Sequence, residues 1–328
     1  MDLRPFIEAL KTEAHHLGLD SPLPGEAPLI LDYRFDEPMA DHTSFRVGGP
    51  ADLWLRPGGN LFPGFAELLL RRAGEAGIPV FILGGGANVL VSDRGIRGIV
   101  LDTAGWKGIR EEEGGLYVRS GTSVDEMTGY AAAAGLSGLE FLAGMPGTLG
   151  GALWMNARCY EKSLSDVLIE TGILDMEGGK GEIRQIGRRA GDFGYKKSPF
   201  QGRRVLILGA RLALSPGEKG EIRREMEEHL RDRELKGHYR YPSAGSVFKN
   251  NRAFGKPAGQ IIDELGLRGL RAGDAQVAPW HGNIIVNLGN AGAADIRSLT
   301  DRIAAGVKAA RGIELEREIL FVGDWENP

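Results

Sequence analysis

The sequence predicts a mixed α and β protein with two domains, on the strength of three observations. The chain has 328 residues, which is long enough to build two ordinary hydrophobic cores. Short apolar runs typical of strands alternate with segments whose apolar residues recur every three or four positions, as they do in helices. Near residue 216 the sequence Ser-Pro-Gly-Glu interrupts this pattern, and a strongly charged helix is predicted to follow it.

The composition narrows the class of protein. Hydrophobic residues make up 42% of the chain and charged residues 26%, which is typical of globular proteins. The formal net charge of −4 argues against a nucleic-acid partner, because such proteins normally carry a basic face. The single cysteine, Cys159, allows no intrachain disulfide and no multi-cysteine metal site, so we expect no metal and a reducing compartment.

The sequence also bears on location. No apolar run approaches the roughly 20 residues that a membrane span requires, so we expect no membrane insertion. The first residues, MDLRPFIEALKTEAHH, contain acids and lack the apolar core of a signal peptide. We therefore expect a cytoplasmic protein.

Residues 1–30 are predicted to be an appendage to the main body. Phe6, Leu10, Ala14 and Leu17 recur at helical spacing and predict an amphipathic helix over residues 3–18. The proline-rich connector SPLPGEAP follows at residues 21–28. The helix either packs on the body or contacts a partner, and the sequence leaves both options open.

The first domain, residues 31–215, alternates strands and helices. His42–Ala51 is predicted to be a strand-like run that ends in a glycine turn. A helix over 123–134 begins at the N-cap residue Ser123, with acids in its first turn. The other predicted elements are strands at 52–56, 80–83, 89–91, 98–101, 117–119, 167–175, 182–186 and 204–214, and a helix at 64–77.

We place a domain boundary near residue 215 and assign residues 216–312 to a second domain. The mixed charges of the helix predicted at 221–236 indicate a solvated face rather than a binding patch. A short helix at 257–265, a strand at 283–288 and a helix at 293–310 are predicted next. Residues 313–328 form the C-terminal segment, with a final strand expected at 315–323.

Glycine is enriched, with 50 residues, or about twice its usual frequency. It is concentrated in two segments, Gly84–Asn88 and Phe141–Ala157. Glycine weakens helix and strand interiors, so these segments are predicted to be loops, the second leading into a short helical turn. The backbone N–H groups of such loops suit phosphate oxygens. The first loop lacks the G-x-G-x-x-G spacing of a Rossmann fingerprint, and tight structural turns remain the alternative for both.

Six stretches of the sequence together carry a family resemblance. They run from about residue 40 to the C-terminus: HTSFRVGGPA (42–51), ILGGGANVLVSD (82–93), LEFLAGMPGTLGGALWMNA (139–157), FGYKKSPF (193–200), PSAGSVFKN (242–250) and LEREILFVG (315–323). In order and spacing the chain resembles the UDP-N-acetylenolpyruvoylglucosamine reductases, the MurB family of peptidoglycan synthesis. The resemblance implies an α+β fold with a two-lobed FAD-binding domain of the vanillyl-alcohol-oxidase (PCMH) type and a smaller α+β substrate-binding domain. The two lobes would cover about 31–101 and 102–215.

The resemblance also implies a reaction. In this family NADPH reduces FAD, which then delivers hydride to the enolpyruvyl ether of UDP-N-acetylglucosamine, giving UDP-N-acetylmuramate. Such chemistry needs groups that stabilise negative charge on the substrate carboxylate and a proton donor at the neighbouring carbon. By resemblance Ser246 is the proton donor, Glu318 is the catalytic carboxylate, and Lys196 stands where the family usually has arginine. Without the resemblance these would be a turn serine, a solvent-facing acid and a surface lysine, and Lys197 could share the role of Lys196.

The same resemblance implies cofactor and substrate contacts. The FAD contacts would be Leu83, Gly84, Gly85, Gly86, Ala87, Asn88, Val89, Leu90, Ala143, Gly144, Pro146, Gly147, Gly150, Gly151 and Asn156. The substrate contacts would be Tyr195, Lys249, Asn250 and His281. Ala87 departs from the serine that is usual in the family. The absence of a tyrosine-bearing insert between residues 250 and 256 indicates the shorter class of these enzymes.

Two other functions remain open from the sequence. Another FAD-dependent oxidoreductase on the same scaffold, such as an oxidase, would keep the glycine loops but lack the pairing of Ser246 with Glu318. A flavin-free or catalytically weakened protein that binds a UDP-sugar is the alternative outside oxidoreductases. We expect FAD and NADPH as cofactors, a UDP-sugar as the small-molecule partner, and a monomer.

Overall fold

The computed structural model describes residues 1–19, 31–59 and 62–325. The predicted connector at 21–28 lies outside these ranges. Within them the α-helices are α1 (Arg4–His16), α2 (Phe62–Glu75), α3 (Val124–Ala134), α4 (Leu149–Trp154), α5 (Lys219–Leu235), α6 (Ala258–Glu264) and α7 (Ala293–Arg311). None of the helices in the described ranges is both long and apolar enough to cross a membrane.

The strands are short and numerous. They are β1 (Leu31–Pro38), β2 (Pro50–Pro57), β3 (Val80–Leu83), β4 (Val89–Val91), β5 (Ile96–Asp102), β6 (Ile109–Glu112), β7 (Gly115–Arg119), β8 (Leu136–Ser137), β9 (Arg158–Cys159), β10 (Lys162–Ser163), β11 (Leu168–Asp175), β12 (Glu182–Gly187), β13 (Val205–Ala213), β14 (Ser215–Pro216), β15 (Arg271–Ala272), β16 (Ala275–Val277), β17 (Ile285–Asn287) and β18 (Leu320–Val322).

The chain divides into two compact units. The first comprises residues 1–35, 52–85 and 98–230, and the second comprises residues 36–51, 86–97 and 231–328. The second unit therefore includes two short segments from the N-terminal half of the sequence. The last division between the two units falls at residue 230. The sequence predicts a domain boundary near residue 215, and that boundary stays a prediction.

The first unit contains two hydrophobic cores. One lies around α1, α2 and the sheet β1-β2-β5-β3, in which β3 and β5 run parallel. Leu10 of α1 and Phe62 and Leu69 of α2 are fully buried in it, so the N-terminal helix packs on the body of the unit. Leu10 and Ala14 of the predicted pattern are buried on one face of α1 together with Ile7, whereas Leu17 at the end of the pattern is exposed.

The other core of this unit lies against an antiparallel sheet of order β12-β11-β13-β7-β6. The three predicted strands at 167–175, 182–186 and 204–214 are confirmed as neighbours in this sheet. Helix α3 packs on it and begins at a capping box, in which Ser123 and Glu126 satisfy each other's backbone N–H groups. Helix α4 lies within the second glycine-rich segment, whose first residues form a loop that leads into it, as predicted.

The second unit has its own core, formed by α6, α7 and the sheet β15-β16-β17. Strands β4 and β18 pair in parallel and so connect segment 86–97 of this unit to the C-terminal segment. Asp93 strengthens this connection, because its two carboxylate oxygens accept from the N–H groups of Ala293 (2.7 Å) and Ala294 (2.9 Å) at the start of α7.

The strand-like run predicted at 42–51 is wrong. Met39–His42 forms a 3₁₀ turn, and Arg46 adopts a left-handed φ of 53°, so the chain turns instead of extending. Phe45 and Val47 are both buried, and their spacing of two residues resembles the alternating pattern of a strand. Gly49 packs directly against the backbone of Asp93, which a side chain would prevent.

The predicted final strand at 315–323 is much shorter in the structure, where only Leu320–Val322 is a strand. The segment changes partner partway along. Arg317 forms an isolated antiparallel bridge with Phe248, and the residues after Ile319 pair in parallel with β4. Glu318 therefore precedes the strand that was expected to carry it.

The packing of α1 leads to a stability prediction. We expect Leu10→Ala to lower the free energy of unfolding by about 2–4 kcal/mol, because it leaves a cavity in a closed core. Leu17→Ala is the matched control, since Leu17 follows the same helix but is 58% exposed. Its effect should stay within about 0.5 kcal/mol in urea or thermal unfolding. Equal effects of the two substitutions would contradict the packing described for α1.

Candidate active site

In the first unit the two glycine-rich loops lie side by side. A Cβ atom on Gly85 would be 2.6 Å from Cα of Gly147, and one on Gly84 would be 2.8 Å from Oγ1 of Thr148. Contacts this close exclude any side chain, so Gly84 and Gly85 are required for the packing of one loop on the other. Gly144 and Gly147 also adopt positive φ angles, of 70° and 113°.

Two hydroxyl groups beside these loops are buried without a hydrogen-bond partner in the described parts of the chain. They belong to Thr148 and Ser120, whose exposed fractions are 4% and 1%. Gly150 packs on Ser120 and donates its N–H to the Ser120 carbonyl at 2.8 Å. A buried hydroxyl without a partner costs about 1–3 kcal/mol, so both groups point to a polar ligand that would satisfy them.

The other predicted cofactor contacts in this unit differ in how deeply they are buried. Leu83 is buried, and its carbonyl accepts from Oγ1 of Thr103 at 3.0 Å. Ala143 is also buried, whereas Pro146 and Gly151 are exposed. Gly151 has only Oγ1 of Thr148 near its missing side chain, at 3.8 Å, so the space over it is open.

Asn156, a predicted FAD contact, is hydrogen-bonded at both ends of its side-chain amide. Its Nδ2 donates to the Gly194 carbonyl at 2.9 Å, and its Oδ1 accepts from the Ser165 N–H at 3.1 Å. Both ends of this buried amide are therefore engaged by the protein. Asn156 anchors the loop 193–200, which carries Tyr195 and Lys196.

That loop is held firmly although it contains no helix or strand. Ser198 and Gln201 both donate to the carbonyl of Trp154 at the end of α4, at 2.7 and 2.8 Å. Gln201 also donates to the Lys196 carbonyl at 3.2 Å. Lys196 has a left-handed φ of 56°, a costly conformation for a residue with a long side chain. Tyr195 is 40% exposed and therefore accessible to a ligand.

In the second unit the remaining part of the first glycine loop leads into β4. A side chain on Gly86, whose φ is 62°, would overlap the His42 carbonyl. Ala87 and Asn88 follow, both half-buried, and Val89 and Leu90 belong to β4 and are buried. The side-chain N–H of Asn88 donates to the backbone carbonyl of Glu318 at 3.1 Å.

The structure brings the two predicted catalytic residues to neighbouring positions of adjacent segments. The N–H of Glu318 donates to the carbonyl of Val247, the residue after Ser246, at 2.7 Å. Ser246 also forms a bridge with Ile284, and both Ser246 and Glu318 are half-buried. The sequence separation of Ser246 and Glu318 hides this proximity, which arises from the pairing of 247–249 with 316–318.

The predicted substrate contacts of this unit have protein partners. Nζ of Lys249 lies 2.6 Å from Oε1 of Glu316, and Oδ1 of Asn250 accepts from the N–H of Ala258 at the start of α6. Nδ1 of His281 accepts from the N–H of Asn283 at 3.1 Å. Burial lowers the pKa of His281 below its usual value of 6.5, so the ring is neutral at pH 7.

Comparison with known proteins decides the family. Residues 237–322 match the C-terminal domain of UDP-N-acetylenolpyruvoylglucosamine reductase, and residues 67–184 match an FAD-binding domain. The UDP-N-acetylenolpyruvoylglucosamine reductase of Treponema denticola is 41% identical, over 89% of this chain and 94% of its own length. This chain belongs to the UDP-N-acetylenolpyruvoylglucosamine reductase family. The corresponding reductase of Borreliella burgdorferi is 40% identical, over 87% and 93% of the two chains.

The fold supports the same assignment. The crystal structure of the MurB reductase from Thermus caldophilus superimposes with a TM-score of 0.72 at 34% identity, covering 90% of this chain and 99% of that one. The predicted fold class is confirmed: an α+β reductase with an FAD-binding domain of the vanillyl-alcohol-oxidase (PCMH) type and a smaller α+β domain.

The residues of this MurB-family chain fit an FAD diphosphate. The FAD-binding match at 67–184 contains both facing glycine loops and both partnerless hydroxyls. The hydroxyls of Ser120 and Thr148 are donors suited to phosphate oxygens, and they were missed by the sequence analysis. Thr148 directly follows Gly147, and this position next to a glycine turn was the sequence signal that could have identified it. Ser120 is far from both glycine loops in the sequence, so no such signal was available for it.

The partnerless hydroxyl of Thr148 leads to a second prediction. Thr148→Val should raise the Kd for FAD about tenfold, the loss of about 1.4 kcal/mol, while leaving the FAD-free protein equally or more stable. FAD fluorescence titration and thermal unfolding of the FAD-free protein measure the two quantities. Thr171→Val is the matched control, because the Thr171 hydroxyl is also buried without a partner in the described residues but lies in the middle of β11. An equal change in FAD affinity for both variants would refute the role of Thr148.

Proposed function

We propose that this protein reduces the enolpyruvyl group of UDP-N-acetylglucosamine enolpyruvate with NADPH, giving UDP-N-acetylmuramate for peptidoglycan synthesis. The observation that carries the proposal is the backbone bond from Glu318 to Val247, which brings the family's two catalytic positions together in a chain of the MurB family. Bound FAD, reduced by NADPH, supplies a hydride to the terminal vinyl carbon. The chain's own residues then have to stabilise negative charge and deliver a proton.

Ser246 is the proposed proton donor. After hydride addition, negative charge develops on the carbon attached to oxygen and on its carboxylate, and a proton from the serine hydroxyl at that carbon completes the saturated lactyl ether. Glu318 is the proposed catalytic carboxylate in the neighbouring segment. Separate groups that donate hydrogen bonds to the developing negative charge typically lower the barrier by about 3 kcal/mol each.

Lys196 is the proposed partner of the substrate carboxylate. Lysine keeps the positive charge of the family's usual arginine but loses its planar, two-pronged hydrogen bonding. The clamped loop compensates for part of this loss, because the bonds from Asn156 and Gln201 fix the backbone from which the lysine extends. A fixed backbone leaves only side-chain freedom to be lost when the carboxylate binds.

The substrate's remaining groups are assigned to Tyr195, Lys249, Asn250 and His281. Since Nδ1 of neutral His281 accepts a hydrogen bond, its proton resides on Nε2, which can donate to a substrate oxygen. Lys249 is paired with Glu316, which is 70% exposed, and such pairs contribute about 0–1 kcal/mol. The lysine can therefore turn to a phosphate at little cost. We further propose that the enzyme acts as a monomer in the cytoplasm, where its single cysteine would stay reduced.

Ser246→Ala tests the function and the proton donor together. Under anaerobic conditions we expect NADPH to bleach the flavin absorbance of the wild type and of the variant equally. The enolpyruvyl UDP-sugar should restore the absorbance in the wild type, and about 10²–10⁴-fold more slowly in the variant, because the proton has lost its donor. Stopped-flow absorbance measures both half-reactions.

UDP-N-acetylglucosamine, which lacks the enolpyruvyl group, is the control and should not restore the absorbance. A wild-type flavin that the enolpyruvyl sugar does not reoxidise, but oxygen does, would support a different FAD-dependent oxidoreductase. A protein that stays colourless after FAD is added would support a flavin-free UDP-sugar-binding protein.

Substitutions of Lys196 and Lys197 decide which of the two stabilises the carboxylate. We expect Lys196→Met to lower kcat by about 10²-fold, because a donor to the developing charge is lost. Lys197→Met should leave kcat nearly unchanged, and Lys196→Arg should keep or raise it. Steady-state NADPH consumption measures all three. A complete loss of activity in Lys196→Arg, or a larger effect at Lys197, would contradict this assignment.

A further inference from the structure

We propose that Asn88 is a positioning residue for Glu318 rather than a phosphate ligand of the first glycine loop. The proposal rests on the proposed function only for the catalytic role of Glu318. The two residues are 230 positions apart, yet Nδ2 of Asn88 donates to the Glu318 carbonyl at 3.1 Å. This side chain is the point at which the glycine loop contacts the backbone of the proposed catalytic residue.

The bond continues the parallel ladder between β4 and β18. The N–H of Leu320 donates to the Asn88 carbonyl at 3.0 Å, as expected beside the Val89–Leu320 pair. In a regular parallel ladder the backbone N–H of Asn88 would be the donor to the Glu318 carbonyl. Here the side-chain amide makes that bond. Pairing is thereby extended to Glu318 while residues 84–88 keep the geometry of a loop.

Glu318 is consequently fixed at both of its own peptide groups. Its N–H is bonded to Val247, next to Ser246, and its carbonyl is bonded to Asn88. Bonds on both sides of one Cα restrict its φ and ψ, and so restrict the direction in which the carboxylate projects. Removing the Asn88 amide takes away one of these two backbone bonds and leaves the one next to Ser246.

The chemistry of the amide argues against a main role at a phosphate. Phosphate oxygens only accept hydrogen bonds, so Oδ1 of Asn88 cannot bind them. One of the two N–H groups on Nδ2 is already used by Glu318. The backbone of the loop and the hydroxyls of the first unit are better suited to the phosphates.

The test compares Asn88→Ala with Ser92→Ala. Ser92 is a matched control because its hydroxyl also donates to a backbone carbonyl of the C-terminal segment, that of Asp324, at 2.7 Å. Asp324 lies beyond β18 and away from Glu318 in sequence. For Asn88→Ala we expect amide hydrogen exchange in residues 316–320 to become about 2- to 10-fold faster. For Ser92→Ala we expect faster exchange in residues 322–325 and at Arg94, whose N–H donates to the Ser92 hydroxyl, but not in residues 316–320.

The kinetic readout separates positioning from cofactor binding. In Asn88→Ala the Kd for FAD should stay within about threefold and the rate of flavin bleaching by NADPH within about twofold of wild type. Reoxidation by the enolpyruvyl UDP-sugar should slow about 10- to 100-fold, because a displaced catalytic group loses its alignment. Ser92→Ala should leave all three values unchanged.

A loss of FAD affinity as large as the loss of rate would overturn the proposal and make Asn88 a cofactor ligand. Unchanged exchange at 316–320 would overturn it as well. If Asn88→Ala does not fold, Asn88→Asp keeps the shape, removes the donor, and is subject to the same exchange criterion. Failure of the wild type to be reoxidised by the sugar would instead refute the proposed function, and the exchange measurement would still decide whether Asn88 holds Glu318.

Discussion

The close approach of Gly85 to Gly147 is the constraint on which the candidate site depends. A Cβ on Gly85 would lie 2.6 Å from Cα of Gly147, so the first loop cannot accept a side chain there unless the two loops separate. The glycines are therefore needed first for packing of protein on protein. The proposed cofactor site uses what lies beside this packing, namely two buried hydroxyls that have no partner in the described residues.

The first glycine loop also contributes to each compact unit. Gly84 and Gly85 belong to the first unit, where they face Gly147 and Thr148, and Gly86 to Asn88 belong to the second. In the second unit the loop continues into β4, whose pairing with β18 brings the C-terminal segment beside it. Residues 84–85 thus pack against the second glycine loop within the first unit, and Asn88 holds the Glu318 carbonyl within the second.

Two asparagine residues help to hold the candidate catalytic groups in place. Asn156 uses both ends of its amide to hold the loop that carries Lys196, and Asn88 uses its Nδ2 group to hold Glu318. An amide suits this role because it can satisfy backbone carbonyls and N–H groups without placing a charge near the reacting carboxylate. Charged residues then remain for the proposed substrate contacts, as with Lys249, whose partner Glu316 is largely exposed.

Hydrophobic periodicity was enough to predict the helices and most strands, because it follows from the faces they bury. The family motifs also pointed to Ser246, Glu318 and both glycine loops. The sequence misled at 42–51, where Phe45 and Val47 are buried on either side of a left-handed Arg46, and at the final strand, where the pairing partner changes at Ile319. Folding, not local pattern, leaves the Ser120 hydroxyl without a partner in the described residues and sets the bonds of Asn88 and Asn156. These features depend on contacts between segments far apart in the chain, and local sequence patterns do not encode such contacts.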